Sequence, residues 1–131
     1  RRINRGNFHE EDILHDVRKV ESILNYMHDL HNAGVSDVVP DTQAHNSLIS
    51  AWAKISNEVN DSPLKAEAAF RRMIELEEEG HPHVAVDRIS YNTVINAWLR
   101  TKSLNGAQRA EWLLRRMWER YKAAEKESGP K

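Results

Sequence analysis

The chain has 131 residues and a formal net charge of -1, and 40% of its residues are hydrophobic while 30% are charged. This composition is too apolar for a disordered tail and too charged for a membrane protein, so the length favours one compact domain or a short repeat array. Because cysteine is absent, disulfide scaffolds, thiolate metal sites and cysteine nucleophiles are excluded. The charge balance also differs from that of domains that hold nucleic acid by charge alone. The chain begins with Arg1-Arg2 rather than Met, so we expect a cut-out or processed piece.

The first two predicted helices lie on either side of a proline. Apolar residues recur every three or four positions over about residues 9–33, which predicts an amphipathic helix that Gly34 ends. Pro40 cannot continue a helix because it lacks an N–H, and Asp41 or Thr42 is a good N-cap for the second helix. The apolar face of this second helix consists of Leu48, Ile49, Trp52 and Ile55.

Three further helices follow in the same order. The third begins at Ser62 and Pro63, where proline is favoured in the first helical turn, and Gly80 ends it. The fourth follows Asp87, and the fifth runs from about Ala107 into the 120s. The segment Leu104-Asn105-Gly106 predicts a break between these last two helices.

The second half of the chain repeats the first. Residues 41–54 align with residues 87–100 at an offset of 46 without a gap, and Asp, Asn, Ile, Ala and Trp are identical in the two segments. The helices that follow also align, 66–73 with 110–117, and residues 20–27 fit the same frame. The predicted organisation is a partial first repeat at 1–41, a full repeat at 42–87, a further repeat at 88–126 and a frayed tail at 127–131.

This pattern predicts an all-α fold, a right-handed α-solenoid of about two and a half helix-turn-helix repeats. Each helix pair has too little core to fold alone, so we expect neighbouring pairs to stack. The stack is expected to bury two sets of side chains against each other: Trp52, Phe70 and Met73, and Trp98, Leu114 and Met117.

No combination of residues predicts an enzyme, a cofactor site or a metal site. The sequence has neither a nucleophile-elbow serine nor a glycine-rich phosphate loop. His28 and His31 are three residues apart on one helix turn, and His81 and His83 are a close pair, but spacing places no third ligand beside either pair, so we expect surface histidines. His45 aligns with Tyr91 in the sequence repeat, which indicates a structural or stacking role.

Polar residues recur at the starts of the second and fourth helices. Asn46 and Asn92 follow His45 and Tyr91 in corresponding positions, and Asp41 and Asp87 precede them. One interpretation is a helix-start network in which aspartate is the N-cap and asparagine bonds to backbone groups. The other is a polar pair presented on the surface of the first helices, able to form hydrogen bonds with the edge of a nucleobase.

The repeated strings resemble the pentatricopeptide repeat (PPR) family. The resemblance spans about residues 17–122, and Ser90–Ile95 is its most specific part. The strings that carry it are Val39–Asp41, Val86–Asp87, Ile89–Ile95, Ala66…Phe70…Met73 and Ala110…Leu114…Met117.

This resemblance implies binding of single-stranded RNA at about one base per repeat, without membrane contact, in a mitochondrion or plastid. It implies that Asn46 and Asp87 together read one base, with uridine favoured, and that Asn92 and Asp41 belong to incomplete pairs. It places Ile89 where an apolar side chain sandwiches bases, whereas Gln43 departs from that pattern. The remaining implied RNA contacts are to phosphate, by Lys54 and Arg100.

Two features leave an alternative open, a helical-repeat scaffold that binds other proteins. The offset of 46 residues is longer than the family's typical repeat, and the acidic run from Glu75 to Glu79 offsets the neighbouring arginines. Tetratricopeptide repeats, which bind proteins, have a Gly and a Tyr in the first helix that these first helices lack. An enzyme would require a separate catalytic domain outside these residues.

Overall fold

A computed structural model of the protein describes residues 2–57 and 59–128, and the side chains of residues 11–57 and 59–127. This part of the chain contains five α-helices and no β-strand, which confirms the all-α class. The helices are α1 (Arg2–Asn32), α2 (Thr42–Lys54), α3 (Ser62–Glu78), α4 (Arg88–Leu99) and α5 (Leu104–Ser128). None of them combines the length and apolarity that a membrane-spanning helix requires.

Two glycines end α1 and α3 in the same way. Gly34 has φ 76° and Gly80 has φ 84°, a left-handed conformation that favours glycine. In each case the next residue donates its backbone N–H to a carbonyl in the last turn, Val35 to Leu30 at 2.9 Å and His81 to Leu76 at 3.0 Å. The sequence repeat is therefore also a repeat of local structure.

The core lies between the helices, and α1 contributes Val17 and Leu24 to it. Helix α2 packs on α3, α4 packs on α5, α4 also contacts α2 and α3, and α1 packs on α2. Phe70 and Tyr91 join α3 to α4 through an edge-to-face ring contact with centroids 4.8 Å apart. The largest fully buried apolar side chains are Trp52, Ile49, Met73, Leu113 and Val94.

Several predicted boundaries differ from the structure. Helix α1 begins at Arg2 rather than near residue 9. The prediction missed the first turns of this helix because they lack the apolar periodicity on which it was based. The predicted tail is helical at residues 127 and 128, and residues 129–131 lie outside the described part of the chain. Gly106 does not break a helix but lies inside α5, where a Cβ would collide with the Thr101 hydroxyl and the Trp98 carbonyl oxygen.

The expected burial of Leu114 is wrong. Leu114 is 50% exposed, whereas the neighbouring Leu113 is 1% exposed and Met117 is half-buried. Ala110 and Leu113 are buried as the aligned Ala66 and Ala69 are, so α5 has the same rotation about its axis as α3. Leu114 aligns with Phe70, which α4 covers, whereas no helix in the described part of the chain covers that face of α5.

A buried carboxylate links the two helix pairs. Glu67 on α3 accepts hydrogen bonds from the Trp98 indole N–H at 2.8 Å and from Arg109 Nε at 2.8 Å. Burial acts to raise the pKa of Glu67, but the hydrogen bonds from Arg109 and Trp98 outweigh it and hold that pKa below its ordinary value. The charge is therefore retained inside the interface.

We expect Glu67→Ala to lower the free energy of unfolding by about 3 kcal/mol, because it leaves the Trp98 N–H and the Arg109 guanidinium without their partner. Urea denaturation followed by circular dichroism measures this change. The control is Glu111→Ala, which removes an exposed pair with Arg115 and should cost less than about 0.5 kcal/mol. Equal losses in the two variants would contradict this account of the interface.

Candidate functional site

A polar groove lies between the start of α2 and the start of α4, and we call it the α2–α4 groove. Its volume is about 710 Å³. Its lining contains two carboxylates and no lysine or arginine. The lining residues are Asp41, Thr42, Gln43, Asn46, Ser47, Ser50, His83, Asp87, Ile89 and Thr93. The groove therefore offers hydrogen-bonding groups with a negative rather than a positive charge.

Both aspartates in the groove are helix N-caps. The side chain of Asp41 accepts from the Ala44 backbone N–H at 2.9 Å, and that of Asp87 accepts from the Ser90 backbone N–H at 2.9 Å. In α4 the cap is reciprocal, because the Asp87 backbone N–H donates to the Ser90 hydroxyl at 3.2 Å. The helix-start interpretation is thus correct for both aspartates.

Asn46 and Asp87 meet in this groove. Asn46 Nδ2 donates to Asp87 Oδ1 at 3.1 Å, and the buried Ser90 hydroxyl donates to Asn46 Oδ1 at 2.6 Å. Asn46 is only 8% exposed, and these two bonds fix which end of its amide faces Asp87. Asn46 therefore bonds to side chains of the next repeat rather than to the backbone of its own helix.

The environment of Asp87 favours its ionised form. Burial acts to raise the pKa of this carboxyl, but hydrogen bonds from the Ser90 backbone N–H and from the Asn46 amide outweigh it, so the pKa lies below its ordinary value. Asp87 therefore provides a negatively charged hydrogen-bond acceptor at one wall of the groove.

The structure brings five of the eight predicted RNA-binding residues together. Asp41, Gln43, Asn46, Asp87 and Ile89 all line the α2–α4 groove.

Asn92, Lys54 and Arg100 do not line the groove. Asn92 is exposed on α4, and Lys54 lines a separate shallow cavity between α1 and α2. Arg100 donates to the Ala53 carbonyl oxygen at 2.9 Å. Arg100 thus supplies a hydrogen-bond donor to the last turn of α2, where backbone carbonyls have no partner within the helix.

Sequence reasoning missed Thr42 and His83 as groove residues. The Thr42 hydroxyl donates to the Ala85 carbonyl oxygen at 3.2 Å and accepts from the Ala85 N–H at 2.8 Å. The Thr42 backbone N–H also donates to the His83 carbonyl oxygen at 3.1 Å. These contacts join residues more than 40 positions apart, so no local signal in the sequence could have indicated them.

The expectation of surface histidines is wrong for His28. His28 on α1 and His45 on α2 are buried, and their Nε2 atoms lie 3.0 Å apart in a hydrogen bond. Burial, with the nearby His28 and Arg72, lowers the pKa of His45 to about 4, and burial likewise lowers that of His28. His81 packs edge-on against His28. Among the described side chains, no group of three or more His, Asp or Glu residues is arranged to hold a metal ion.

An apolar stripe remains uncovered on α5. The α5 stripe consists of Leu114, Trp118 and Tyr121, which are all at least half exposed. The rings of Trp118 and Tyr121 stack with centroids 5.6 Å apart. In the preceding repeat the residue that aligns with Leu114 is Phe70, which is 2% exposed because α4 covers it.

Comparison with known proteins returns no family model, no curated protein and no solved structure that matches this chain. The resemblance to pentatricopeptide repeats therefore rests on the repeated residues of the chain itself.

The buried histidine pair predicts a stability that depends on pH. Because the folded-state pKa of His45 is lowered, the unfolded chain binds more protons between about pH 4 and pH 6.5, so stability falls as the pH falls through this window. The slope is at most about 1.4 kcal/mol per pH unit for each extra proton. We expect His45→Gln to flatten this slope, as measured by urea denaturation at a series of pH values.

The matched control for this prediction is His15→Gln, at an exposed histidine on α1. This control should keep the wild-type slope. A His45→Gln variant whose slope equals that of wild type would show that the buried pair does not govern the acid sensitivity.

Proposed function

We propose that this chain is a segment of a right-handed α-solenoid of pentatricopeptide-like repeats that binds single-stranded RNA in the α2–α4 groove. The observation that carries the proposal is the 3.1 Å contact between Asn46 Nδ2 and Asp87 Oδ1. These two side chains come from consecutive repeats, and the family resemblance assigns them to one base. A role in RNA metabolism of a mitochondrion or plastid follows from the same resemblance, and the sequence, which contains no catalytic combination of residues, favours a role without enzymatic activity.

The charge of the groove determines which part of the RNA enters it. Asp41 and Asp87 repel a phosphate, whereas amide, hydroxyl and carboxylate groups can pair with the edge of a neutral base. The proposed arrangement therefore places the base in the groove and the backbone outside it. The Asn46 amide N–H that does not bond to Asp87 supplies a donor, and the Asp87 carboxylate supplies an acceptor beside it, a pair that matches a carbonyl oxygen and the N3–H on the edge of uracil.

The experiment that tests this function is Asp87→Asn, measured by fluorescence anisotropy with a labelled single-stranded RNA rich in uridine. Asparagine is as good an N-cap as aspartate, so α4 should stay intact while a carboxylate oxygen is replaced by an amide donor. We expect about a tenfold loss of affinity for this RNA, the scale of one lost hydrogen-bonded contact.

The matched control is Asp41→Asn, which changes the other N-cap of the groove but does not alter the Asn46 contact. It should change the affinity less than about threefold, below the roughly tenfold scale of a lost contact. Equal effects of both substitutions, or none, would contradict base recognition by Asp87. Asn46→Ala is less informative, because it also removes a contact between α2 and α4.

A protein-binding scaffold is the second candidate, and the α5 stripe favours it. Leu114 and Trp118 are exposed on α5, whereas α4 covers the corresponding surface of α3. Exposed apolar patches of this kind are typical of surfaces that other proteins cover.

Photo-crosslinking separates the two candidate functions. A photoreactive residue is placed at Trp118 in one variant and at Ser47, in the groove, in another. RNA adducts at position 47 are expected if the groove binds RNA. Protein adducts at position 118 without RNA adducts at position 47 would favour the scaffold instead.

A further inference from the structure

We propose that His83, on the connection between α3 and α4, stacks on the base that occupies the α2–α4 groove. This inference rests on the proposed function and adds a residue that neither the repeat pattern nor the family resemblance supplied. The connection runs from Glu79 to Asp87, and His83 is the residue of it that lines the groove besides Asp87.

The connection holds His83 in a defined position. Val84 and Val86 are buried in the core, while Ala85 is exposed. The connection is thereby fixed on its core side. His83 itself lies in the turn that precedes Val84, and its side chain is exposed.

Thr42 fixes the other side of the connection. Its backbone N–H donates to the His83 carbonyl oxygen at 3.1 Å, and its hydroxyl exchanges two hydrogen bonds with the Ala85 backbone, at 2.8 and 3.2 Å. These bonds tie the connection to the first turn of α2, next to Asn46 on the same helix. The imidazole is therefore carried by a segment anchored at both of its faces.

The groove lacks any other aromatic ring among its lining residues. Asn46, Asp87 and the hydroxyl side chains can contact the edge of a base, but they offer no surface for its face. Ile89 is 55% exposed and gives one apolar surface. Stacking on an aromatic side chain contributes substantially to single-stranded RNA binding because every base has a flat face. His83 is the residue placed to provide it.

His83 is not part of the repeat pattern. At the offset of 46 the corresponding residue in the preceding connection is Asp37, which has no ring. The proposed stacking contact thus belongs to the one groove that also contains a complete Asn46 and Asp87 pair. The long connection, which departs from the family's repeat length, would thereby contribute directly to binding.

The test uses the full chain and a fluorescein-labelled single-stranded RNA rich in uridine, with affinities from fluorescence anisotropy. We expect His83→Ala to weaken binding about tenfold, the scale reported for losing one stacked base. His83→Phe keeps a flat ring without the imidazole nitrogens. It should retain affinity within about threefold of wild type, which is less than the roughly tenfold loss expected when stacking is removed. His15→Ala, at an exposed histidine on α1, should bind as wild type does.

Each other outcome overturns a specific claim. If His83→Lys retains affinity while His83→Phe loses it, charge rather than stacking makes the contact. If His83→Ala binds as wild type does while Asp87→Asn binds more weakly, stacking is wrong and the proposed function stands. If the wild-type chain does not bind the RNA, the proposed function fails and this inference fails with it.

A second variant tests the anchoring of the connection without changing His83. Thr42→Val removes the hydroxyl that pairs with Ala85. We expect faster hydrogen exchange at the Ala85 N–H together with weaker RNA binding, and less weakening from Ser47→Ala, which removes a groove hydroxyl that does not bond to the connection. Faster exchange with unchanged binding would show that the position of the connection does not matter for the RNA.

Discussion

The hydrogen bonds around Asp87 determine how the two helix pairs meet. One carboxylate oxygen caps α4 through the Ser90 N–H and accepts from Asn46 on α2. Ser90 completes the network by donating to the Asn46 amide oxygen. Because buried polar groups are stable only when they are paired, α4 cannot shift along α2 without leaving some of these groups unsatisfied. This network therefore holds the groove residues of α4 in place relative to those of α2.

The same network places the connection before α4. Asp87 ends that connection, and Thr42 in the first turn of α2 binds its backbone near His83 and Ala85. The two ends of the groove are thus held by residues of α2, Thr42 and Asn46. A binding groove built on helix starts and a tied connection keeps its shape without a ligand, which lowers the entropic cost of binding. In the proposed function, this rigidity is the physical reason why one polar groove would select a base.

The sequence was sufficient for features that depend on neighbouring residues. Both aspartate caps and the end of α1 at Gly34 follow from local chemistry, and the offset of 46 predicted that both helix pairs would start alike. The pairing of Asn46 with Asp87 came from that offset and the family resemblance. Contacts that join distant residues could not be predicted, as Thr42 with Ala85 and His28 with His45 illustrate.

The most direct test of the central claim is an NMR titration of the ¹⁵N-labelled chain with a short oligouridine and, separately, with an oligoadenosine. Base recognition in the α2–α4 groove predicts that the Asn46 side-chain amide signals shift with oligouridine, and shift less with oligoadenosine at equal concentration. The account would be contradicted if the Asn46 signals stayed unchanged while the indole signals of Trp112 and Trp118 moved, because α5 would then be the RNA-binding surface.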